Sequence, residues 1–293
     1  MSGKRNIETN ELSFTQDAVF SRVMRDPQIC KEFLQAIFPQ RKVERLSIVN
    51  KESQLEILAK SLNQKLETQK TLYADLEKRG VRLDVMFEND SHIYNIEMQN
   101  AKKSDLLKRA RLYQSLIDQG QLYAGEKDFE KLKDVVIIFI CDFDPLGQER
   151  KIYHVEESCK EDTNLSVNPG ILKVFINING KTGDTSTDLT EMLQYMRKAE
   201  NYSVTENSCS LVRKVDSAVC KLNLDRGSVK SMRTIEFEMG VRERYGHKQG
   251  LKEGAEQAQR QACANLYKNG VRVSTIAKSL QQSEATIREW LEI

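Results

Sequence analysis

The run DVVIIFICDFD, residues 134 to 144, constrains the fold more than any other stretch of the chain. Six consecutive apolar residues, VVIIFI at 135 to 140, leave neither side of an extended strand polar. A strand apolar on both sides has to be covered on both faces. The run is too short to cross a membrane, which takes about 18 apolar residues, and no other run in the chain approaches that length. It is expected as an inner strand of a sheet lying between helical layers.

The neighbouring segments fit that expectation. VRLDVMFE and HIYNIEMQ alternate with period two and are joined by a short END-S turn, which predicts an antiparallel hairpin. LLKRARLYQSLIDQG then reads as a helix stopped at Gly120, and KIYHVEE and LKVFINI add two strands around residues 151 to 178. The order strand, strand, helix, buried strand indicates an α/β core with a mixed sheet. Upstream, FTQDAVFSRVMRDPQICKEFLQAIF predicts two helices broken at Asp26-Pro27, the second presenting Ile29, Phe33, Leu34 and Ile37 on one face. Residues 53 to 78, rich in Leu, Lys, Gln and Glu, suit either a helix or an irregular connection. From about residue 184 the pattern turns helical, and GHKQGLKEGAEQAQR reads as a hinge. The expected organisation is an α/β core over 1–183, a helical extension over 184–245 that packs on it, and a hinge with a helical tail over 246–293.

Against this pattern, the end of the hairpin looks out of place. On HIYNIEMQ, Ile93, Asn95, Glu97 and Gln99 share one face, with Tyr94, Ile96 and Met98 on the other. On the preceding strand Val81, Leu83 and Val85 share one face and Arg82, Asp84 and Met86 the other. If the register sets Asp84 opposite the Glu97 end, two carboxylates meet at one place on the sheet. Like charges so placed cost free energy unless a cation joins them. Oxygen ligands of this kind suit Mg²⁺, which takes one or two carboxylates together with waters and substrate phosphate oxygens, and such a site supports phosphodiester hydrolysis.

The spacing D-x12-E-x-Q in RLDVMFENDSHIYNIEMQ resembles the catalytic hairpin of the PD-(D/E)XK nuclease superfamily, with Gln99 where a lysine usually stands. The block order GVRLDV, YNIEMQ, KRARLYQSLIDQ, VVIIFICDFDP and GILKVFININGK is similar to the Rpn family of recombination-promoting nucleases, transposase-like PD-(D/E)XK proteins, over roughly residues 14 to 240. The resemblance implies a restriction-endonuclease-like fold and Mg²⁺-dependent DNA endonuclease activity. It implies Asp84 and Glu97 as metal ligands with the Met98 carbonyl as a further one, and Gln99 as the group that orients or polarises the attacking water. A neutral amide neither titrates nor stabilises charge as an ammonium does. An additional N-terminal acid is left open among Asp17, Glu32 and Glu52. Lys108, Arg109 and Arg111 are expected to reach DNA phosphates.

Plainer readings stand beside these. Arg82 and Arg109 also suit structural ion pairs with Asp84 or Glu97, Tyr113 suits core packing, and Asp142 and Asp144 suit a strand end and turn cap. The three histidines, at 92, 154 and 247, have no zinc-ligand spacing. Six cysteines without a C-x-x-C pair suit reduced thiols in a cytoplasm. With 45 basic and 43 acidic residues, affinity for nucleic acid has to come from local clustering. Gly246, Gly250, Gly254, Ala258 and Ala262 recur every fourth residue, which suits a flexible tether or a seam between copies of the chain. The tail ANLYKNGVRVSTIAKSLQQSEATIREWLEI has helix-turn-helix-like spacing at Ala277 and Ile287, with Gln281 where the tight turn usually has glycine. The expectation is therefore a cytoplasmic Mg²⁺-dependent DNA endonuclease, not membrane-bound, with assembly into a homo-oligomer open. The alternatives are a DNA- or partner-binding protein on the same fold, or a strand-transfer enzyme.

Overall fold

The computed structural model describes residues 11–43, 45–49, 84–102, 104–121, 128–165, 167, 170–198 and 202–293, with backbone alone at 236, 238–249 and 252–253. The segment 53–78, Val81, Arg82, Leu83 and Glu52 lie outside the described residues. The chain divides into two compact units, Met1–Met232 and Arg233–Ile293.

The first unit is built on a six-stranded mixed sheet. Its strands are β1 (Ser47–Ile48), β2 (Val85–Glu88), β3 (His92–Gln99), β4 (Asp134–Cys141), β5 (Ile152–Val155) and β6 (Ile171–Asn177), in the order β1-β2-β3-β4-β6-β5. β3, β4 and β6 run parallel, while β1, β2 and β5 pair antiparallel at the edges. The apolar run 135 to 140 is thus the inner strand its sequence demands, hydrogen-bonded on both sides and buried throughout.

Each face of β4 meets its own layer. Val136, Ile138 and Ile140, with Ile96, Met98, Val174 and Ile176, pack against helices α1 (Asp17–Val23), α2 (Pro27–Ile37), α4 (Thr187–Arg197) and α5 (Ser210–Leu224). Val135, Ile137 and Phe139, with Met86, Ile93 and Phe175, pack against α3 (Leu106–Gln121) through Ala110, Tyr113 and Ile117. Tyr113, Phe139 and Phe175 stack in a row, with ring centroids 6.1 and 5.9 Å apart. The Asp-Pro break does two things: the Asp26 carboxylate accepts from the N–H groups of Gln28 and Ile29, and Pro27 occupies the first helical position, where a missing N–H costs nothing. Ser186 caps α4 and donates to the Ala36 carbonyl at 2.6 Å, tying that helix to α2.

A single helix, α6 (Arg226–Lys268), runs through the segment read from sequence as a hinge. Three glycines cost about 1 kcal/mol each there, but the intervening Ala, Gln, Glu, Lys and Arg are strong helix formers, and the run holds no proline to break the ladder. In the second unit, Gly270 (φ +79°) turns the chain into α7 (Val273–Leu280), and Gln281 (φ +52°) leads to α8 (Glu284–Leu291). Cys263, Ile276, Ala277 and Ile287 form its small core, so the two residues with helix-turn-helix spacing pack together. The exposed side of α8 carries Glu284, Glu289 and, just beyond its end, Glu292 against Arg288. That charge is unfavourable for lying in a DNA groove.

Candidate active site

The register answers the question the carboxylates pose. Val85 pairs with Ile96 and Met86 with Asn95, so one step further along the hairpin Asp84 stands opposite Glu97. Both belong to the sheet face covered by α3, as the burial of Met86 and Ile93 in that layer requires. Glu97 Oε1 accepts from the Asp84 backbone N–H at 3.1 Å and from Asn95 Nδ2 at 2.9 Å. In return Asp84 Oδ2 accepts from the Met98 N–H at 3.1 Å. The hairpin end is therefore latched by its own two carboxylates.

This arrangement works against ionisation of Glu97. Its side chain is 3% exposed, and burial, then the Asp84 carboxylate, push its proton affinity well above the usual range. The Asn95 and Asp84 hydrogen bonds and the Arg109 charge oppose that rise. Asn95 is fully buried, and its Oδ1 has no hydrogen-bond partner among the described residues. A buried acceptor left so costs about 1–3 kcal/mol. Sequence places Asn95 on this face without giving it a part; the signal is an N-x-E-x-Q alternation inside a strand that should be apolar on both sides.

Gln99 is committed to neighbours. Its Nε2 donates to the Ala101 carbonyl at 3.1 Å, and its Oε1 accepts from Arg109 Nη1 at 2.5 Å. Arg109 Nη2 donates to the Tyr113 hydroxyl at 2.8 Å, and the guanidinium lies 5.5 and 5.7 Å from the Tyr113 and Phe139 ring centroids. Arg109 and Tyr113 stand four apart on α3, so one helical turn presents both to the sheet. Burial disfavours the Arg109 charge, but Tyr113, Glu97 and Asp105 outweigh it and hold the guanidinium protonated. Tyr113 is pushed up to about 12, by burial first and then by Glu97. Tyr113 is thus both core packing and an acceptor for Arg109.

The three basic residues expected on DNA separate in space. Arg109 turns onto the sheet, whereas Lys108 and Arg111 are exposed on the outer side of α3. Of the candidate N-terminal acids, Asp17 accepts from Asn100 Nδ2 at 2.7 Å, immediately beyond Gln99, while Glu32 pairs with Lys214. Asp142 accepts from Asn179, and Asp144 closes the turn after β4 by accepting from the N–H groups of Leu146, Gly147 and Glu149 and from Tyr153.

Among the described residues no group of three or more His, Cys, Asp or Glu side chains is placed to hold one metal ion. Two carboxylates do face each other, however, which is the number Mg²⁺ commonly takes from a protein. The carbonyl of Met98 joins them on the same edge. Gln99 accepts from the Asp142 N–H on the β4 side, and backbone groups alternate along a strand, so those of Met98 point towards Asp84. The donor set fits a hard divalent cation and gives no soft ligand for zinc.

Among the described residues no helix is long and apolar enough to cross a membrane. No curated protein and no solved structure matches the chain. The family model for the PD-(D/E)XK nuclease family transposases matches residues 14–218, from just before α1 to within α5, and thus takes in the whole sheet, the Asp84–Glu97 hairpin and α3. With a mixed sheet flanked by helices and two carboxylates opposed on its hairpin, the chain belongs to the PD-(D/E)XK nuclease family transposases and has their restriction-endonuclease-like fold.

Proposed function

We propose that the nuclease- or transposase-like character of the family takes the form, in this chain, of Mg²⁺-dependent hydrolysis of DNA phosphodiester bonds, as an endonuclease of the cytoplasm. The observation that carries this reading is the opposition of Asp84 and Glu97 on a buried sheet face, with Glu97 held at high proton affinity by burial and by its neighbour. Folding could have placed apolar residues there at lower cost. A divalent cation at Asp84, Glu97 and the Met98 carbonyl would supply Lewis-acid stabilisation of the phosphate and a nucleophile at neutral pH. The residues themselves do the rest. Asn95 and the Asp84 and Met98 N–H groups fix the carboxylate oxygens in place.

Gln99 holds the cation of the site. Its amide oxygen is occupied by Arg109, so the fixed positive charge that lysine provides in related hairpins comes from the Arg109 guanidinium, clamped between Gln99 and Tyr113. A guanidinium has five N–H donors. Two are used among the described residues, leaving others for the phosphate oxygens as charge builds on them.

Purified protein should convert supercoiled plasmid to open-circular or linear DNA in Mg²⁺ or Mn²⁺ and not in EDTA, with the Asp84→Ala protein inactive. The engagement of Gln99 by Arg109 also suits a second reading, a DNA-binding protein on this fold without catalysis. DNA binding by both proteins with no cleavage by either in Mg²⁺ or Mn²⁺ would establish that reading and end the enzyme assignment.

A further inference from the structure

Away from the carboxylates, α5 crosses the corner between α1 and α2 and leaves an open cleft of about 860 Å³. Its lining includes five cations, Arg22, Arg25, Arg213, Lys214 and Lys221, and one acid, Asp26. Asp26 is occupied with capping α2, and Lys214 pairs with Glu32. The side chains of Arg22, Arg25, Arg213 and Lys221 make no ion pair and no hydrogen bond among the described residues.

Four such cations repel one another, and Asp26, the one acid among the described lining residues, leaves the cleft with a net positive charge. The spacing along α5 is regular: Ser210, Lys214, Ser217 and Lys221 fall on one helical face. Hydroxyls thus alternate with ammonium groups beneath the arginines of the facing corner. Ser and Lys side chains in alternation, faced by Arg, are the donors that recognise phosphate oxygens. Among the described residues no aromatic side chain lines the cleft, so these give nothing on which to stack a base.

We infer that the cleft between α5 and the α1–α2 corner binds the phosphodiester backbone of nucleic acid, independently of sequence, as a second contact surface apart from the candidate active site. Its position suits the task. The first residue of α1, Asp17, bonds to Asn100 just past Gln99, and the last turn of the same helix contributes Arg22 to the cleft. Seven residues of helix span about 10 Å, about three base pairs of duplex at 3.4 Å each. The inference takes from the proposed function only that nucleic acid is the ligand, not that it is cut.

The test is carried out in EDTA, where binding is read without cleavage. A fluorescein-labelled 30-base-pair duplex of arbitrary sequence is titrated with intact protein and with the Arg22→Gln/Arg25→Gln/Arg213→Gln/Lys221→Gln variant at several KCl concentrations. The variant should bind about tenfold or more weakly at moderate salt, with the slope of log affinity against log salt shallower by about 0.9 per lost phosphate contact. A control that removes exposed charge elsewhere, Lys160→Gln/Lys268→Gln, should leave the slope unchanged. The pairs Arg22→Gln/Arg25→Gln and Arg213→Gln/Lys221→Gln, one on each wall, should each give part of the effect and stand in for the fourfold variant if it does not fold. An unchanged slope, or one altered equally by the control, overturns the inference. Tripolyphosphate that raises the melting temperature of the intact protein but not of the fourfold variant, with duplex affinity equal in both, also overturns it by making the cleft a small-anion site. A protein that binds duplex through the cleft but never cuts refutes the nuclease reading alone; one that cuts while duplex binding ignores the cleft refutes this inference alone.

Discussion

Glu97 lies near the end of β3 and Asp144 in the turn after the neighbouring parallel strand β4, and the fold moves their proton affinities in opposite directions. Burial and Asp84 drive Glu97 up. Asp144 is partly exposed; burial raises its proton affinity, but the Tyr153 hydroxyl and the N–H groups of Glu149, Gly147 and Leu146 together outweigh that and hold it below the usual carboxylate range. One acid is satisfied by its own loop, and removing its charge loosens a turn. The other is confined next to a second acid, a position that strains the metal-free protein and suits a cation. Both acids lie near the same end of neighbouring strands; the donors around each decide the direction in which its proton affinity moves.

The sharpest way to break this comparison is to remove each charge in turn. Glu97→Gln should abolish metal-dependent plasmid cleavage while raising the melting temperature in EDTA at neutral pH, by about 2–4 °C for each kcal/mol of repulsion and desolvation relieved. Asp144→Asn should leave cleavage standing. Equal losses of activity in the two variants would place Asp144 in the site and refute the division.

Next in size is the Arg109 clamp. Arg109→Met should lower kcat by about 10²–10³-fold, the usual loss for one preorganised donor, with little change in KM. Gln99→Lys should not raise activity although it restores the residue usual in this superfamily, because an ammonium there faces the Arg109 guanidinium. The double change Gln99→Lys/Arg109→Met, which moves the charge from helix to strand, should recover activity relative to Arg109→Met. Single-turnover rates of the four proteins decide it; an active Gln99→Leu/Arg109→Met protein would reduce both residues to packing.

Much of this was legible in sequence, and the rest was not for definite reasons. Six apolar residues in a row demanded the inner position of β4, and the END-S turn predicted the hairpin, whose register, left open in the sequence, opposes Asp84 and Glu97. The Arg109–Gln99 bond depends on how α3 lies over β3, which no local pattern encodes. The hinge expected around Gly246 to Gly254 gives way to helix because strong helix formers between the glycines outweigh them. The basic cleft joins residues 22 and 25 to 213–221, nearly two hundred positions apart, so a balanced overall charge conceals it.

Smaller effects follow for stability. Asp144→Asn should cost about 1–2 kcal/mol through weakened turn hydrogen bonds, seen as a lower urea midpoint with unchanged slope. The pH dependences should have opposite signs. Glu97, raised in the folded state above the value of about 4.3 for a free carboxyl, contributes stability that is full below that value and is lost as pH rises through its folded pKa. Asp144, lowered on folding, contributes stability that is full above the free value for an aspartate, about 3.9, and is lost as pH falls through its folded pKa. In EDTA, the Glu97→Gln protein should therefore lack the decline that the parent shows as pH rises above about 4.3, and Asp144→Asn should lack part of its decline in acid.

The central claim, that Asp84 and Glu97 form a pair awaiting a cation, is tested most directly by melting the protein at pH 8 across a Mg²⁺ titration. A ligand bound only by the folded state stabilises it by RT ln(1 + [L]/Kd). The melting temperature should rise with Mg²⁺ in the parent protein and stay flat in Asp84→Ala and Glu97→Gln. A parent protein indifferent to Mg²⁺, or variants that respond as the parent does, would contradict it.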